Sequence, residues 1–161
     1  MDEPVGNAAL ASEVKKVAVL GSGVMGGAIA AHVANAGIPV VLLDLPAEGE
    51  DRNAIANGAI ARMNRTDPAP FMAPEAAKLI TMGNFDDDLE LLAEADWICE
   101  AIVEKLDIKH DLYRRIDPVR KPGGIVSSNT STIPLHRLVE GQSDAFATDF
   151  LITHFFNPPR Y

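Results

Sequence analysis

The fold is decided by the stretch Lys16-Val17-Ala18-Val19-Leu20-Gly21-Ser22-Gly23-Val24-Met25-Gly26, which joins an apolar run to a glycine-rich turn. The run at residues 16–20 is typical of a buried strand. The residues from Val24 to Ala36 are mostly small and predict a helix, which ends at Gly37. A strand, a G-x-G-x-x-G turn and a helix in this order predict a dinucleotide-binding turn.

Each glycine of this turn has its own physical use. Gly21 permits the tight turn, Gly23 lets a pyrophosphate approach the backbone, and Gly26 lets the helix pack closely on the strand. The free backbone N–H groups at the helix start, at Val24 and Met25, would then face the phosphates, where the helix dipole favours negative charge. The alternative is a turn whose glycines serve packing alone.

The rest of the chain alternates short apolar runs with longer helical stretches. This pattern predicts an α/β domain of the doubly wound, Rossmann type with a mostly parallel sheet. Residues 15–161 form this predicted domain, and the acidic segment 1–14 is predicted to be a flexible N-terminal tail. The predicted strands are 16–20, 39–43, 79–82, 97–102, 124–127 and 150–154, and the main predicted helices are 24–36, 51–64, 86–93, 106–116 and 134–139.

The residue that closes the second strand indicates which dinucleotide binds. Asp44 follows the glycine turn at about the 20-residue spacing at which an acid accepts the ribose hydroxyls of NAD. The same carboxylate would repel the extra phosphate of NADP, and the next residues, Leu45 and Pro46, supply no positive charge to offset this. NAD is therefore the predicted cofactor.

Composition and charge argue against several functions. The 161 residues carry a formal net charge of −9, which repels phosphate backbones and argues against nucleic-acid binding. No run of about 18 apolar residues and no secretory signal is present, so we expect a cytoplasmic protein without a membrane span. The single cysteine, Cys99, lies in an apolar run and is expected to be a buried, inert thiol. No metal site is predicted.

Two polar segments follow predicted strands and are candidates for chemistry. The segment 127–132 holds only small hydrogen-bonding residues at the edge where ligands bind in open α/β sheets, although a capped turn explains it equally well. His154 ends the sixth predicted strand, and Asn157 follows three residues later. The pair is a candidate proton acceptor and orienter, with a structural role for His154 as the alternative.

Four motifs occur in order along the chain: residues 17–26, Glu100-Ala101-Ile102-Val103-Glu104, Ser128-Asn129-Thr130-Ser131 and His154-Phe155-Phe156-Asn157-Pro158. Together they resemble the 3-hydroxyacyl-CoA dehydrogenases of fatty-acid β-oxidation, and the last two motifs are quite specific to that family. The resemblance covers nearly the whole chain from Lys16 onward. It implies NAD-dependent oxidation of (S)-3-hydroxyacyl-CoA to 3-oxoacyl-CoA, with this chain as the NAD-binding portion.

The resemblance also implies roles for individual residues. His154 would be the catalytic base that takes the proton of the substrate 3-hydroxyl. Ser131 would hydrogen-bond the substrate oxygen and lie beside the cofactor, and Asn157 would help to hold the reacting centre. Glu104 and Lys109 would lie against the ribose and nicotinamide end of the cofactor. Asn129 would be a further cofactor-binding residue.

The resemblance also implies two features beyond residue 161, a glutamate that pairs with the catalytic histidine and a C-terminal helical domain that closes the cleft. We therefore expect the 161 residues to be a fragment that lacks both. The resemblance implies that the full-length protein is a homodimer or part of a β-oxidation complex, and that the fragment is weakly active or inactive.

A weaker likeness to bacterial multifunctional β-oxidation proteins involves residues 45–74 and 157–161. Arg52, Arg62 and Arg65, on the predicted helix of the connection 45–74, could meet coenzyme A phosphates, although a solvated helix face is the simpler interpretation.

Two rival functions remain open on the sequence. One is an NAD-dependent dehydrogenase of free 3-hydroxy acids, which usually relies on a lysine base in a later helical domain. The other is a non-catalytic NAD-binding module, against which the set of Ser131, His154 and Asn157 counts.

Overall fold

The structure, a computed structural model, describes residues 14–161 and is built on a sheet of six strands that all run parallel. This confirms the doubly wound α/β prediction. The predicted tail 1–14 falls almost entirely on residues 1–13, which lie outside the described residues. The strands are β1 (Val17–Leu20), β2 (Val40–Asp44), β3 (Ile80–Asn84), β4 (Trp97–Glu100), β5 (Ile125–Ser128) and β6 (Phe150–Ile152).

The order of strands across the sheet is β3-β2-β1-β4-β5-β6. The chain builds outward from β1 to β3 and then returns to place β4 on the other side of β1. The connections reverse direction at this point, and they leave a crevice beyond the carboxyl ends of β1 and β4. Ligands of open parallel sheets bind in such a crevice.

Helices cover both faces of the sheet, and alternate residues of β1 show why. Ala18 and Leu20 belong to one buried apolar cluster, whereas Val17 and Val19 belong to another on the opposite face. The helices are α1 (Val24–Asn35), α2 (Ala54–Met63), α3 (Leu106–Ile116), α4 (Leu135–Leu138) and α5 (Asp144–Thr148), with 3-10 turns at Pro74–Leu79 and Leu89–Glu94. Helices α1 and α2 pack on the face of Val17 and Val19, and helices α3, α4 and α5 pack on the face of Ala18 and Leu20.

The helix prediction for residues 86–93 was wrong in detail. The helix predicted at 86–93 is a 3-10 turn that begins only at Leu89, and the aspartates before it do not cap it. Asp86 and Asp87 instead pair with Arg115 and Arg52, at 2.9 Å and 2.6 Å. Charge pairing between distant segments therefore explains the acidic run.

The short helix α5 is absent from the sequence-based prediction. Its N-cap residue is Ser143, whose hydroxyl oxygen accepts a hydrogen bond from the Phe146 N–H at 3.1 Å. The helix buries Phe146 completely. A Ser-Asp pair before an aromatic residue is a recognisable start signal, but five residues are too few to show a helical period.

Among residues 14–161, no helix has both the length and the apolar character needed to cross a membrane. The thiol of Cys99 is fully buried, and burial raises its pKa to about 11. The prediction that this thiol is buried is confirmed.

Candidate active site

A cleft of about 760 Å³ opens at the carboxyl edge of the sheet, at the reversal between β1 and β4. Its walls include the turn before α1, the end of β2, the segment after β4 and the segment after β5. The cleft lining includes Gly23, Val24, Asp44, Ala101, Asn129 and Ser131. Residues predicted from the glycine turn and from the serine segment therefore share one cleft.

The glycine turn has the geometry that each position predicted. Gly21 has φ +98°, and a Cβ there would lie 2.7 Å from the Ala101 carbonyl oxygen. A Cβ on Gly26 would lie 1.8 Å from the carbonyl oxygen of Gly21, so helix and turn can meet only at a glycine. A Cβ on Gly23 would meet no protein atom within 4 Å. The open space beside Gly23 is what a bound pyrophosphate requires.

The start of α1 adds donors to this space. The first hydrogen bond inside the helix runs from the Gly27 N–H to the Gly23 carbonyl at 2.9 Å. The N–H groups of Val24 and Met25 precede it and have no acceptor one turn back. No side chain caps the helix at Gly23, so the amides are left for a ligand. These residues fit the diphosphate of a dinucleotide.

Asp44 lines the cleft next to the glycine turn and is held in place by the turn itself. Its Oδ2 accepts hydrogen bonds from the backbone N–H and the hydroxyl of Ser22, at 2.5 Å and 2.6 Å. Its Oδ1 accepts one from the Leu45 N–H at 2.7 Å, which leaves lone pairs on the carboxylate for ribose hydroxyls. The part played by Ser22 was not predicted, because nothing in a serine between two glycines signals it.

The serine segment and the histidine segment meet at the far end of the cleft. The Ser131 Oγ and the His154 Nε2 are 3.3 Å apart, and both residues are exposed. Asn129 joins the same two segments, because its Oδ1 accepts a hydrogen bond from the Phe155 N–H at 2.8 Å. Asn157 lies in a neighbouring cleft beside Val24. The structure thus brings Ser131 and His154 together.

A buried ionic network lies beneath this end of the cleft. Glu100 is completely buried at the end of β4, and its Oε1 accepts from the Lys109 ammonium at 2.6 Å. Its Oε2 accepts from the hydroxyls of Tyr113 and Ser128, each at 2.7 Å. Burial, followed by the negative charge of Glu100, raises the pKa of Tyr113 above its usual range. The tyrosine is therefore a neutral donor at any physiological pH.

The structure places Lys109 and Glu104 at the edge of this network. The side chain of Lys109 is only 1% exposed, and its Nζ lies between Glu100 and the Glu104 Oε2, which is 3.4 Å away. Burial raises the pKa of Glu104, but hydrogen bonds from Thr130 and the charge of Lys109 outweigh it and leave the pKa lowered. The predicted contacts of Lys109 and Glu104 with the cofactor stay predictions.

Sequence reasoning missed Glu100, Tyr113 and Ser128 as members of the site. Glu100 did carry a signal, since a carboxylate in an apolar strand must find a positive partner when it is buried. Lys109 supplies that partner from a helix that begins six residues later. The pairing itself depends on how α3 packs against the sheet, which no local pattern shows.

The second cleft, of about 420 Å³, lies between α1, α2 and the end of the described chain. It is lined by Val24, Arg62 and Asn157 among others. The Arg62 guanidinium donates to the Ser22 carbonyl at 3.1 Å. Arg52, by contrast, precedes α2 and is paired with Asp87, so the expectation that Arg52 lies on the helix was wrong.

Comparison with known proteins decides the family. The model of the 3-hydroxyacyl-CoA dehydrogenase NAD binding domain matches residues 16–161. The chain belongs to this family. Both the resemblance and the NAD prediction are thereby confirmed.

Two curated relatives and one solved structure are similar to the chain. It is 51% identical to the "Probable 3-hydroxyacyl-CoA dehydrogenase" of Deinococcus radiodurans, over 92% of this chain and 43% of that protein. It is 50% identical to the "Putative fatty acid oxidation complex trifunctional enzyme" of Rickettsia felis, over 93% of this chain and 21% of that protein. The crystal structure of 3-hydroxybutyryl-CoA dehydrogenase from Escherichia coli aligns with a TM-score of 0.74 at 31% identity, over 91% of this chain and 30% of that one. The chain thus spans less than half the length of these proteins.

Proposed function

We propose that the chain is the NAD-binding portion of an enzyme that oxidises (S)-3-hydroxyacyl-CoA to 3-oxoacyl-CoA in fatty-acid oxidation. One observation carries the proposal: the Ser131 hydroxyl lies 3.3 Å from the His154 Nε2, and Ser131 also lines the cleft of about 760 Å³ that contains the glycine turn and Asp44. We call this cleft the cofactor cleft. An imidazole and a hydroxyl at this distance can both form a hydrogen bond to the same substrate oxygen. The relatives' names supply the substrate class.

The proposed reaction removes two hydrogens from the substrate. The proton of the 3-hydroxyl goes to the His154 Nε2, while C3 loses a hydride and the C3–O single bond becomes a carbonyl. NAD, when bound, supplies the acceptor for that hydride. Ser131 donates a hydrogen bond to the substrate oxygen and keeps it next to the imidazole. Asn157 holds the reacting centre from the side of the second cleft.

The acyl-CoA part of the proposal is supported by the second cleft. The cleft begins at Val24, beside the turn that lines the cofactor cleft, and reaches Asn157. Arg62 and Arg160 both line it and add positive charge to an otherwise acidic chain. A coenzyme A thioester carries phosphates at one end, so a basic cleft adjoining the reacting groups suits it better than a small free acid.

The complete protein is proposed to work as a homodimer or within a fatty-acid oxidation complex. The name of the Rickettsia felis relative supports the oxidation complex.

The decisive experiment compares His154→Gln with wild type in the complete protein. We expect oxidation of 3-hydroxybutyryl-CoA to fall by at least about a hundredfold, because the general base is lost. Binding of NADH to the 161-residue chain should change less than about twofold, since the glycine turn is untouched. Stopped assays of NADH formation and calorimetric titration measure the two effects.

The matched control is His136→Gln, because His136 is an exposed histidine on α4. It should leave both measurements at the wild-type value. Retained oxidation in His154→Gln would place the base elsewhere. Oxidation of free 3-hydroxybutyrate but not of its coenzyme A thioester would favour a dehydrogenase of free acids. NADH binding without oxidation of either substrate would identify a non-catalytic module.

A further inference from the structure

The turn that carries Ser131 has one carboxylate at its centre. The Glu104 Oε1 accepts hydrogen bonds from the Ser131 N–H at 3.1 Å and from the Thr132 N–H and hydroxyl at 3.3 Å and 3.1 Å. It also accepts one from the Thr130 hydroxyl. Three consecutive residues of the turn therefore point their donors at a single oxygen.

The same carboxylate is anchored from below. Its Oε2 lies 3.4 Å from the Lys109 ammonium, which is itself fixed by Glu100 at 2.6 Å. Lys109 and Glu100 are buried, and neither can move without leaving a charge unpaired. The turn is thus tied, through Glu104, to the rigid end of β4 and to α3.

Few other contacts join the turn 130–132 to the segment that carries His154. Ser131 is exposed, and the only described contact between its side chain and the histidine segment is the 3.3 Å approach to His154. Ser131 and Thr132 are small and exposed, and such residues sample many conformations unless hydrogen bonds select one. The position of the Ser131 hydroxyl therefore depends on what holds its backbone.

We propose that Glu104 is a positioning residue, which holds the turn 130–132 so that the Ser131 hydroxyl stays within hydrogen-bonding distance of His154. The inference rests on the proposed function for the role of His154 as base, and it gives Glu104 a use besides the cofactor contact implied by its motif. Lys109 acts behind it, by orienting the carboxylate.

The test uses nuclear magnetic resonance of the 161-residue chain and a double-mutant cycle. The 15N resonance of the His154 Nε2, assigned by its loss in His154→Gln, reports the contact with Ser131. We expect Ser131→Ala to move it and Glu104→Ala to move it as far. The double variant should move this resonance no further than either single change, because both changes remove the same contact, the one between Ser131 and His154.

Amide exchange provides a second measurement in the same samples. Exchange of the Ser131 amide should become about tenfold or more faster in Glu104→Ala, because its described acceptor is gone. The Thr132 amide should be accelerated less, because it also donates to the Thr130 hydroxyl oxygen at 3.4 Å. The Asn129 amide, which donates to the Glu100 carbonyl at 2.7 Å, should keep its wild-type rate. Glu90→Gln, which removes an exposed carboxylate on another segment, should change neither measurement.

The proposal is overturned if Glu104→Ala leaves the His154 resonance and the turn amides at their wild-type values. It is also overturned if the shifts from Ser131→Ala and Glu104→Ala simply add. Neither measurement uses an acyl-CoA substrate. A failure here is therefore separate from a failure of the proposed oxidation, which is decided by His154→Gln in the complete protein.

Discussion

The two ends of the cofactor cleft are built in different ways. The end formed by the glycine turn is shaped by backbone: a tight turn at Gly21, an approach of 1.8 Å that only a glycine allows at Gly26, and free amides at the start of α1. The end formed by Ser131 and His154 is shaped by side chains, which rest on the buried pair Glu100–Lys109. At the first end, close packing leaves no room for a side chain at Gly21 or Gly26. The second end depends on a buried pair of opposite charges.

The largest effect is expected at the backbone end. Gly26→Ala places a methyl group against the Gly21 carbonyl oxygen, and neither the helix nor the turn can yield without breaking the packing between them. We expect a loss of more than about 4 kcal/mol in the free energy of unfolding, or failure to fold. Urea denaturation followed by circular dichroism measures it.

Gly23→Ala is the matched control for the same turn. A Cβ there meets no protein atom within 4 Å, so the free energy of unfolding should stay within about 0.5 kcal/mol of wild type, apart from the helix-start preference. NADH binding should still weaken, because the methyl group enters the space of the pyrophosphate. A stable Gly26→Ala protein would show that the turn is less rigid than its geometry indicates.

The next largest effect is expected at the side-chain end. Lys109→Met leaves the carboxylate of Glu100 buried without a positive partner, which should cost about 3–5 kcal/mol of stability. The double variant Glu100→Gln/Lys109→Met removes both charges and should recover a large part of that loss. Urea denaturation at pH 7 measures both.

The control for this change is Lys105→Met, because Lys105 is exposed and lies just before α3. It should leave stability within about 0.5 kcal/mol of wild type. If Lys109→Met were equally mild, the pair Glu100–Lys109 would not support the site, and the contrast between the two ends would fail.

The contrast also explains what could be predicted from the sequence. A backbone turn is encoded within a few residues, so the spacing of Gly21, Gly23 and Gly26 fixed the strand, the turn and the helix together. Asp44 was predictable because a strand of known length brings its end to a known place. These rules act over short stretches of sequence. The parallel sheet was predictable because strand and helix patterns alternate along the chain.

The side-chain end could not be predicted in the same way. Glu100 and Ser128 end neighbouring strands, and Tyr113 reaches both from a helix between them in the chain. Their meeting depends on strand register and on the packing of α3. Ser131 and His154 were paired only through the resemblance to a family, since spacing alone left a structural role open for each.

The smallest effect is expected at Asp44, whose side chain belongs to the end of the cleft that is shaped by backbone. Its carboxylate fixes the turn through Ser22 and, by prediction, accepts the ribose hydroxyls of NAD. Asp44→Ala should weaken NADH binding by roughly 10- to 100-fold, as expected for a lost hydrogen bond to a charged group. NADPH should lose much less, because the carboxylate that repels its extra phosphate is also gone. Calorimetric titration with each cofactor gives the two ratios.

Two controls separate the functions of Asp44. Ser22→Ala removes the hydroxyl contact with Oδ2 and keeps the charge, so any loss should be small and equal for NADH and NADPH. Glu48→Ala removes an exposed carboxylate from the loop after β2 and should change neither affinity. If Asp44→Ala weakened both cofactors equally, its carboxylate would serve only to hold the turn. Recognition at the backbone end would then rest on the glycines and the amides of α1 alone, with no side chain selecting between the two dinucleotides.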